Sequence, residues 1–200
     1  MAVYYTQVSH ISPEVVPLID AKKQLKMEDL GTFDDELIQD CIDAAIDECE
    51  NYINKNIKER KFVVQSASWL LQGYEFKQQH VQAITKITYK PLDGGADVVL
   101  ENADISEFME LLAFDGYQHI NYKGVQGDTS NLPDLAEDTF NAVTFEITVG
   151  YPIGTVPFGL LQAVKLLVSD NYNFRGDRDK KYQTASRIKL EPYKYYQPAQ

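Results

Sequence analysis

The chain has 200 residues, 44% of them hydrophobic and 12% aromatic, and its 19 basic against 30 acidic side chains give a formal net charge of -11. That length fits one domain with a core of its own, and the composition excludes disordered, collagen-like and low-complexity classes. No run approaches the ~20 apolar residues a bilayer-spanning helix needs, so no membrane is expected among its partners. Met1-Ala2-Val3-Tyr4-Tyr5-Thr6 lacks the basic start and leucine-rich core of a secretory leader, so the expectation is a protein made and used, or assembled, inside a cell. The acidic balance argues against gripping phosphate backbone as the main task, although a local basic patch would serve for that.

From Ser12 to about Ile57 the pattern is helical. Ser12-Pro13-Glu14 reads as a start signal, and the loose apolar spacing of Val16, Leu18, Ile19 and Leu25 predicts a short helix over about 17–27. Asp29 to Asp34 read as a turn containing Gly31. Thr32 or Asp34 then caps a long helix predicted over about 34–55, and Thr32-Phe33-Asp34-Asp35 matches a capping box with Asp in place of Glu or Gln. Leu37, Ile38, Cys41, Ile42, Ala45, Cys49, Tyr52 and Ile53 recur at three- and four-residue steps and line one face. Cys41 and Cys49 lie roughly 12 Å apart along such a helix, too far to bridge within it, and read as core.

Glu36, Asp40, Asp43, Asp47 and Glu50 recur at the same steps on the other face. Like charges at i,i+4 cost a few tenths of a kcal/mol per pair, and only those in the first turn recover some of it from the helix dipole. Three uses fit the stripe: a solvated face, a docking surface for a basic partner, or a wall that repels polyanions. A calcium site does not fit, because the spaced oxygen ligands and glycine of a calcium loop are absent.

Between about Lys61 and Gly150 the period changes to two. Residues 62–71 and 84–89 are rich in β-branched and aromatic side chains, and Asp93-Gly94-Gly95 before Val98-Val99-Leu100 reads as a hairpin turn. Further strands are predicted over 109–114, 117–122 and 142–149, the first two flanking Asp115-Gly116. In the last, Val143, Phe145, Ile147 and Val149 share a face that is expected to be buried. Residues 123–139 are turn-rich and read as a long loop.

Thr155-Val156-Pro157 opens a final helix predicted over about 157–175, with Pro tolerated in its first turn and Leu160, Leu161, Val164, Leu167, Val168, Asn171 and Tyr172 as its apolar stripe. Arg175-Gly176 reads as its stop. Residues 1–176 are therefore expected to form one α+β domain, with helices from both ends of the chain packed together and a largely antiparallel β region inserted between them. The tail, 177–200, differs in character. Arg178, Lys180, Lys181, Arg187, Lys189 and Lys194 outnumber Asp177, Asp179 and Glu191, with Tyr182, Tyr193, Tyr195 and Tyr196 interleaved. Such a mixture suits a protein interface or single-stranded nucleic acid, and the acidity of the remainder favours the interface. A tail pairing with another copy's acidic stripe would account for both features.

No catalytic signature is present. His10, His80 and His119 stand in unlike contexts, and the chain has no HExxH, paired-cysteine metal spacing, G-x-S-x-G or phosphate-cradling G-x-x-x-x-G-K. Gly124-Val125-Gln126-Gly127-Asp128 reads as a loop, and Asp177-Arg178-Asp179 as an exposed turn. Carboxylates are so numerous that their number alone marks no acid–base pair. The expectation is no enzyme, no cofactor and no metal.

Pro17-Leu18-Ile19-Asp20-Ala21-Lys22-Lys23-Gln24-Leu25-Lys26, followed by Asp34-Asp35-Glu36-Leu37-Ile38 and a helix running to Glu50-Asn51-Tyr52-Ile53, resembles the opening of the head-tail connector (adaptor) proteins of tailed phages and prophages. The resemblance continues through Trp69, the strand at 84–89, Val149-Gly150-Tyr151-Pro152 with Val156-Pro157, the helix from Leu160 to Tyr172 with Arg175, and Leu190-Glu191-Pro192-Tyr193. Nearly the whole chain is covered in order. The β region and the loop at 123–139 are larger than in the smallest family members, and the tail is richer in tyrosine.

The resemblance implies a structural virion protein at the capsid vertex, made in the bacterial host cytoplasm. It implies a ring of about a dozen copies below the portal protein that extends the channel for genomic DNA and docks the tail or a stopper protein. DNA would pass without sequence-specific binding. Glu36, Asp40, Asp43, Asp47 and Glu50 are the interface or channel candidates. Arg175, Arg178, Lys180, Lys181, Tyr182, Arg187, Lys189, Tyr193, Tyr195 and Tyr196 are the candidates for contact with the portal or a neighbouring subunit. The rival readings are a nucleic-acid-binding accessory factor using the tail and a carboxylate-dependent hydrolase.

Overall fold

The computed structural model describes residues 3–10, 14–28, 31–71, 73–76, 80–101, 103–114, 117–123, 132–152, 154–174 and 185–194. In chain order the elements are β1 (Val3–His10), α1 (Leu18–Leu25), α2 (Asp35–Ile53), β2 (Arg60–Ser66), β3 (Val81–Tyr89), β4 (Val98–Glu101), α3 (Ala103–Phe108), β5 (Met109–Phe114), β6 (Tyr117–Tyr122), β7 (Val143–Val149), α4 (Phe158–Asn173) and α5 (Ala185–Leu190), closed by a 3-10 turn, Glu191–Tyr193. The fold is α+β, as the alternation of periods implies. It divides into two compact units, Met1–Ile11 with Glu59–Gly150, and Ser12–Lys58 with Tyr151–Gln200.

The first unit is the β unit. Its five-stranded sheet has the order β1-β2-β7-β3-β4, with every pairing antiparallel, so the last strand in the chain lies at the centre. The face predicted for β7 is buried: Val143, Phe145, Ile147 and Val149 pack with Phe62, Val64, Val81 and Ile87. Both expected hairpins form, β3 with β4 and β5 with β6, the latter a separate two-stranded sheet that contributes Met109, Ile120 and Tyr122 to the same core. The turn Asp115-Gly116 lies outside the described residues.

Trp69 sits amid the rings of Tyr89, Phe108, Tyr122 and Phe145, with centroid separations of 5.3 to 6.5 Å, and its Nε1–H donates to the Pro133 carbonyl at 2.8 Å. Paired rings at such distances add about 0.5–1.5 kcal/mol beyond their buried area. The run 62–71 is strand only as far as Ser66. There the Ser68 N–H donates to Ser66 Oγ at 3.3 Å and the chain turns, carrying Trp69 and Leu70 into the core outside the ladder. Two elements of this unit were not expected. β1 forms because Val3, Tyr4, Tyr5 and Thr6 find β2 as a partner, and α3 is one short helix whose Ile105 is buried.

The second unit is helical. α2 and α4 supply most of its core, with Ile38, Ile42, Ala45, Ile46, Cys49 and Ile53 facing Leu160, Ala163, Val164, Leu167 and Val168, and with Val16, Ala21 and Leu190 completing it. Both cysteines are buried and unpaired by disulfide, and burial pushes the Cys49 thiol up to about 12. Pro157 occupies the position just before α4, where its missing N–H leaves no helical bond unmade. The expected stop at Arg175-Gly176 lies outside the described residues.

Candidate interaction surfaces

The surface of α2 is built in three parts, each fixed by different chemistry. At its start, the turn Gly31-Thr32-Phe33-Asp34 is pinned from two sides. Lys22 Nζ on α1 donates to the Gly31 carbonyl at 2.7 Å and pairs with the Asp35 carboxylate, while the Tyr172 hydroxyl on α4 donates to Asp34 Oδ2 at 2.6 Å. Gly31 adopts φ +68°, a conformation that favours glycine. Asp34 is the backbone cap, but its carboxylate serves Tyr172 and makes no side-chain cap bond of its own. The turn so held presents Phe33 at 95% exposure, the most exposed large apolar side chain among the described residues.

Along the middle runs the acidic face. Glu36, Asp40, Asp43 and Asp47 are exposed, as the spacing implied. Glu50 differs. It is half-buried, and its Oε1 accepts the N–H groups of Ile57 at 2.7 Å and Lys58 at 2.9 Å, tying the turn after α2 back onto the helix. Asp43 Oδ1 pairs with Lys58 Nζ at 2.7 Å. Two of the five carboxylates therefore hold local structure, which the one-letter spacing does not reveal because their partners lie in the following loop.

At the far end, residues 185–194 fold back on the same unit. Leu190 enters the core. The Tyr52 hydroxyl on α2 donates to Glu191 Oε2 at 2.6 Å, and Arg187 and Lys194 lie over the Tyr52 ring, 5.6 and 4.7 Å from its centroid. The bond to Glu191 raises the Tyr52 phenol above its ordinary range, with Arg187 opposing. Tyr193 covers Gly159 so closely that a Cβ there would sit 2.6 Å from the Tyr193 hydroxyl. Beside this clamp is a cleft of about 270 Å³, lined by the buried Leu167 and Leu190 with Asn51, Tyr52, Ser186 and Arg187, and touched also by Glu48.

Of the basic and tyrosine candidates, the structure thus places Arg187 and Tyr193 against α2 and α4, and leaves Lys189 exposed. Arg175, Arg178, Lys180, Lys181, Tyr182, Tyr195 and Tyr196 lie outside the described residues. Sequence reasoning missed Phe33 and the cleft. Phe33 carries a signal only in hindsight, as a large ring beside a glycine turn, and the cleft has none, since it joins α2, α4 and α5. Among the described residues, no group of three or more His, Cys, Asp or Glu is placed to hold a metal ion, and no helix is long and apolar enough to cross a membrane.

No protein-family model and no curated protein matches the sequence. Solved structures do match. A chain in the neck of an empty gene transfer agent (GTA) particle, solved with C6 symmetry, is similar to this one with a TM-score of 0.75 and 18% identity, over 98% of this chain and 97% of the other. A chain in the virion of a native GTA particle gives 0.74 and 19% over the same shares, and one in the neck of a native GTA particle, solved with C12 symmetry, gives 0.72 and 18%. At such identities the likeness is one of fold, and it extends over essentially the full length of both chains.

Proposed function

We propose that this chain is a structural subunit of a phage-like virion neck, a head-tail connector that forms a ring with further copies of itself below the portal protein. In that place it continues the DNA channel and offers a tail-completion or stopper protein a surface to dock on. The observation that carries the reading is the shared fold, end to end, with chains from GTA necks of C6 and C12 symmetry. The surface chemistry supports it. A closed ring repeats one heterologous interface and so needs two different, complementary patches on each subunit. The acidic middle of α2 and the basic residues of the folded-back C-terminal segment are two such patches.

The acidic face has an alternative use in the same setting. Turned toward the channel, it would repel DNA phosphates over roughly one Debye length, about 8–10 Å at ordinary salt, and keep the passing genome from sticking. Native mass spectrometry of the chain with and without its cognate portal is expected to give a ring-sized multiple of the chain mass. A chain that stays monomeric in both would overturn the reading. Reversing Asp40, Asp43 and Asp47 to Lys separates the two uses of α2: lost rings assign the face to the interface, and intact rings with slowed genome release assign it to the channel.

A further inference from the structure

Building on the ring reading above, we infer that successive copies meet head to tail along α2: the Phe33 ring of one copy enters the cleft between α2 and α5 of the next, and Glu36 and Asp40 of the first face Arg187 and Lys189 of the second. The knob is preorganised. Lys22, Asp35, Tyr172 and Asp34 hold its turn from both sides, yet none of the described residues covers Phe33, which is 95% exposed. A large aromatic on a rigid base loses little conformational freedom on binding, which is the character of an interface anchor.

The receiving site is preorganised as well. Its lining includes two buried leucines, and Tyr52 is held by Glu191, Arg187 and Lys194. At about 270 Å³ it exceeds the roughly 150 Å³ that suffices for a benzene-sized ring. Charge selects the occupant. Phe33 is followed by exposed carboxylates at Glu36 and Asp40, whereas Arg187 lines the cleft, Lys194 lies over its Tyr52 and the exposed Lys189 stands on the same short helix, three cations against the Glu48 and Glu191 carboxylates beside them. A second copy of this chain brings to the cleft the acidic, aromatic surface that those cations complement. The two patches lie toward opposite ends of one 19-residue helix, so each copy offers a knob to one neighbour and a hole to the other.

The test uses the full-length chain. Phe33→Ser is expected to weaken association about tenfold or more, as loss of an interface anchor does, with an unchanged melting temperature because the side chain is 95% exposed in the single chain. Phe158→Ser, which removes another exposed ring of the helical unit, is the control and is expected to leave association as it was. Asp40→Lys is expected to weaken assembly and Lys189→Asp in the same chain to restore it. Mixing Thr32→Cys with Asn51→Cys chains is expected to give a disulfide-linked dimer under mild oxidation, since both positions are exposed and the native cysteines are buried. Rings that form normally with Phe33→Ser, or that yield no such cross-link, overturn this contact and leave the ring intact. A wild-type chain that forms no ring, alone or with the portal, overturns both.

Discussion

Glu50 belongs by spacing to the acidic stripe and by contact to the fold. Its Oε1 holds two backbone N–H groups of the turn after α2 in a half-buried position, and a hydrogen bond to a charged group contributes about 1.5–3 kcal/mol net of the exchange with water, less where the site is part-exposed. Glu50→Ala is expected to lower stability by about 1–3 kcal/mol in urea denaturation, and Glu50→Gln, which keeps an acceptor, by less. Asp43→Ala loses only an exposed pair with Lys58 and is expected to cost no more than about 1 kcal/mol. Burial of Ile38, Cys41, Ala45 and Cys49 was legible because it follows from helical period alone. The separate job of Glu50 was not, because its partners, Ile57 and Lys58, stand outside the period that reveals the stripe.

At the level of elements, one phenol makes the docking of the C-terminal segment sensitive to pH. Tyr52 donates to Glu191, so docking favours the protonated form and the folded-state value is raised. A raised value means that the stabilisation is whole below the ordinary tyrosine range near pH 10 and is lost as pH climbs through the higher folded value. Residues 185–194 are therefore expected to exchange their amide hydrogens faster as pH rises past about 10, relative to α4 in the same molecule, and Tyr52→Phe is expected to exchange them faster at every pH with that dependence gone. α2, α4, β7 and the two hairpins were legible because each carries its own period or turn signal. β1, α3 and α5 were not. They are short, and pairing with β2, packing of Ile105 and docking of Leu190 stabilise them more than local propensity does.

For the molecule as a whole, the net charge of -11 resolves into an arrangement: exposed carboxylates along the middle of α2, and cations gathered where the chain folds back on the end of that helix. Fold class followed from the order of periods in the sequence, but strand order did not, since nothing local in residues 143–149 says that they pair between β2 and β3. That placement reaches into the protein's synthesis. Until β7 leaves the ribosome, β1 with β2 and β3 with β4 are two separate antiparallel pairs, each with the edge that β7 will take left unpaired and an apolar face lacking the strand that joins them. Contacts so distant in sequence form late and leave edges open to other chains meanwhile. In limited proteolysis, chains ended at Phe140 are expected to lose the β unit, while chains ended at Gly150, which restore β7, are expected to keep it as a protease-resistant fragment even though α2 there lacks α4. The nascent chain is thus most vulnerable in the interval between β3 and β7, which is when a holding chaperone would have the most to protect.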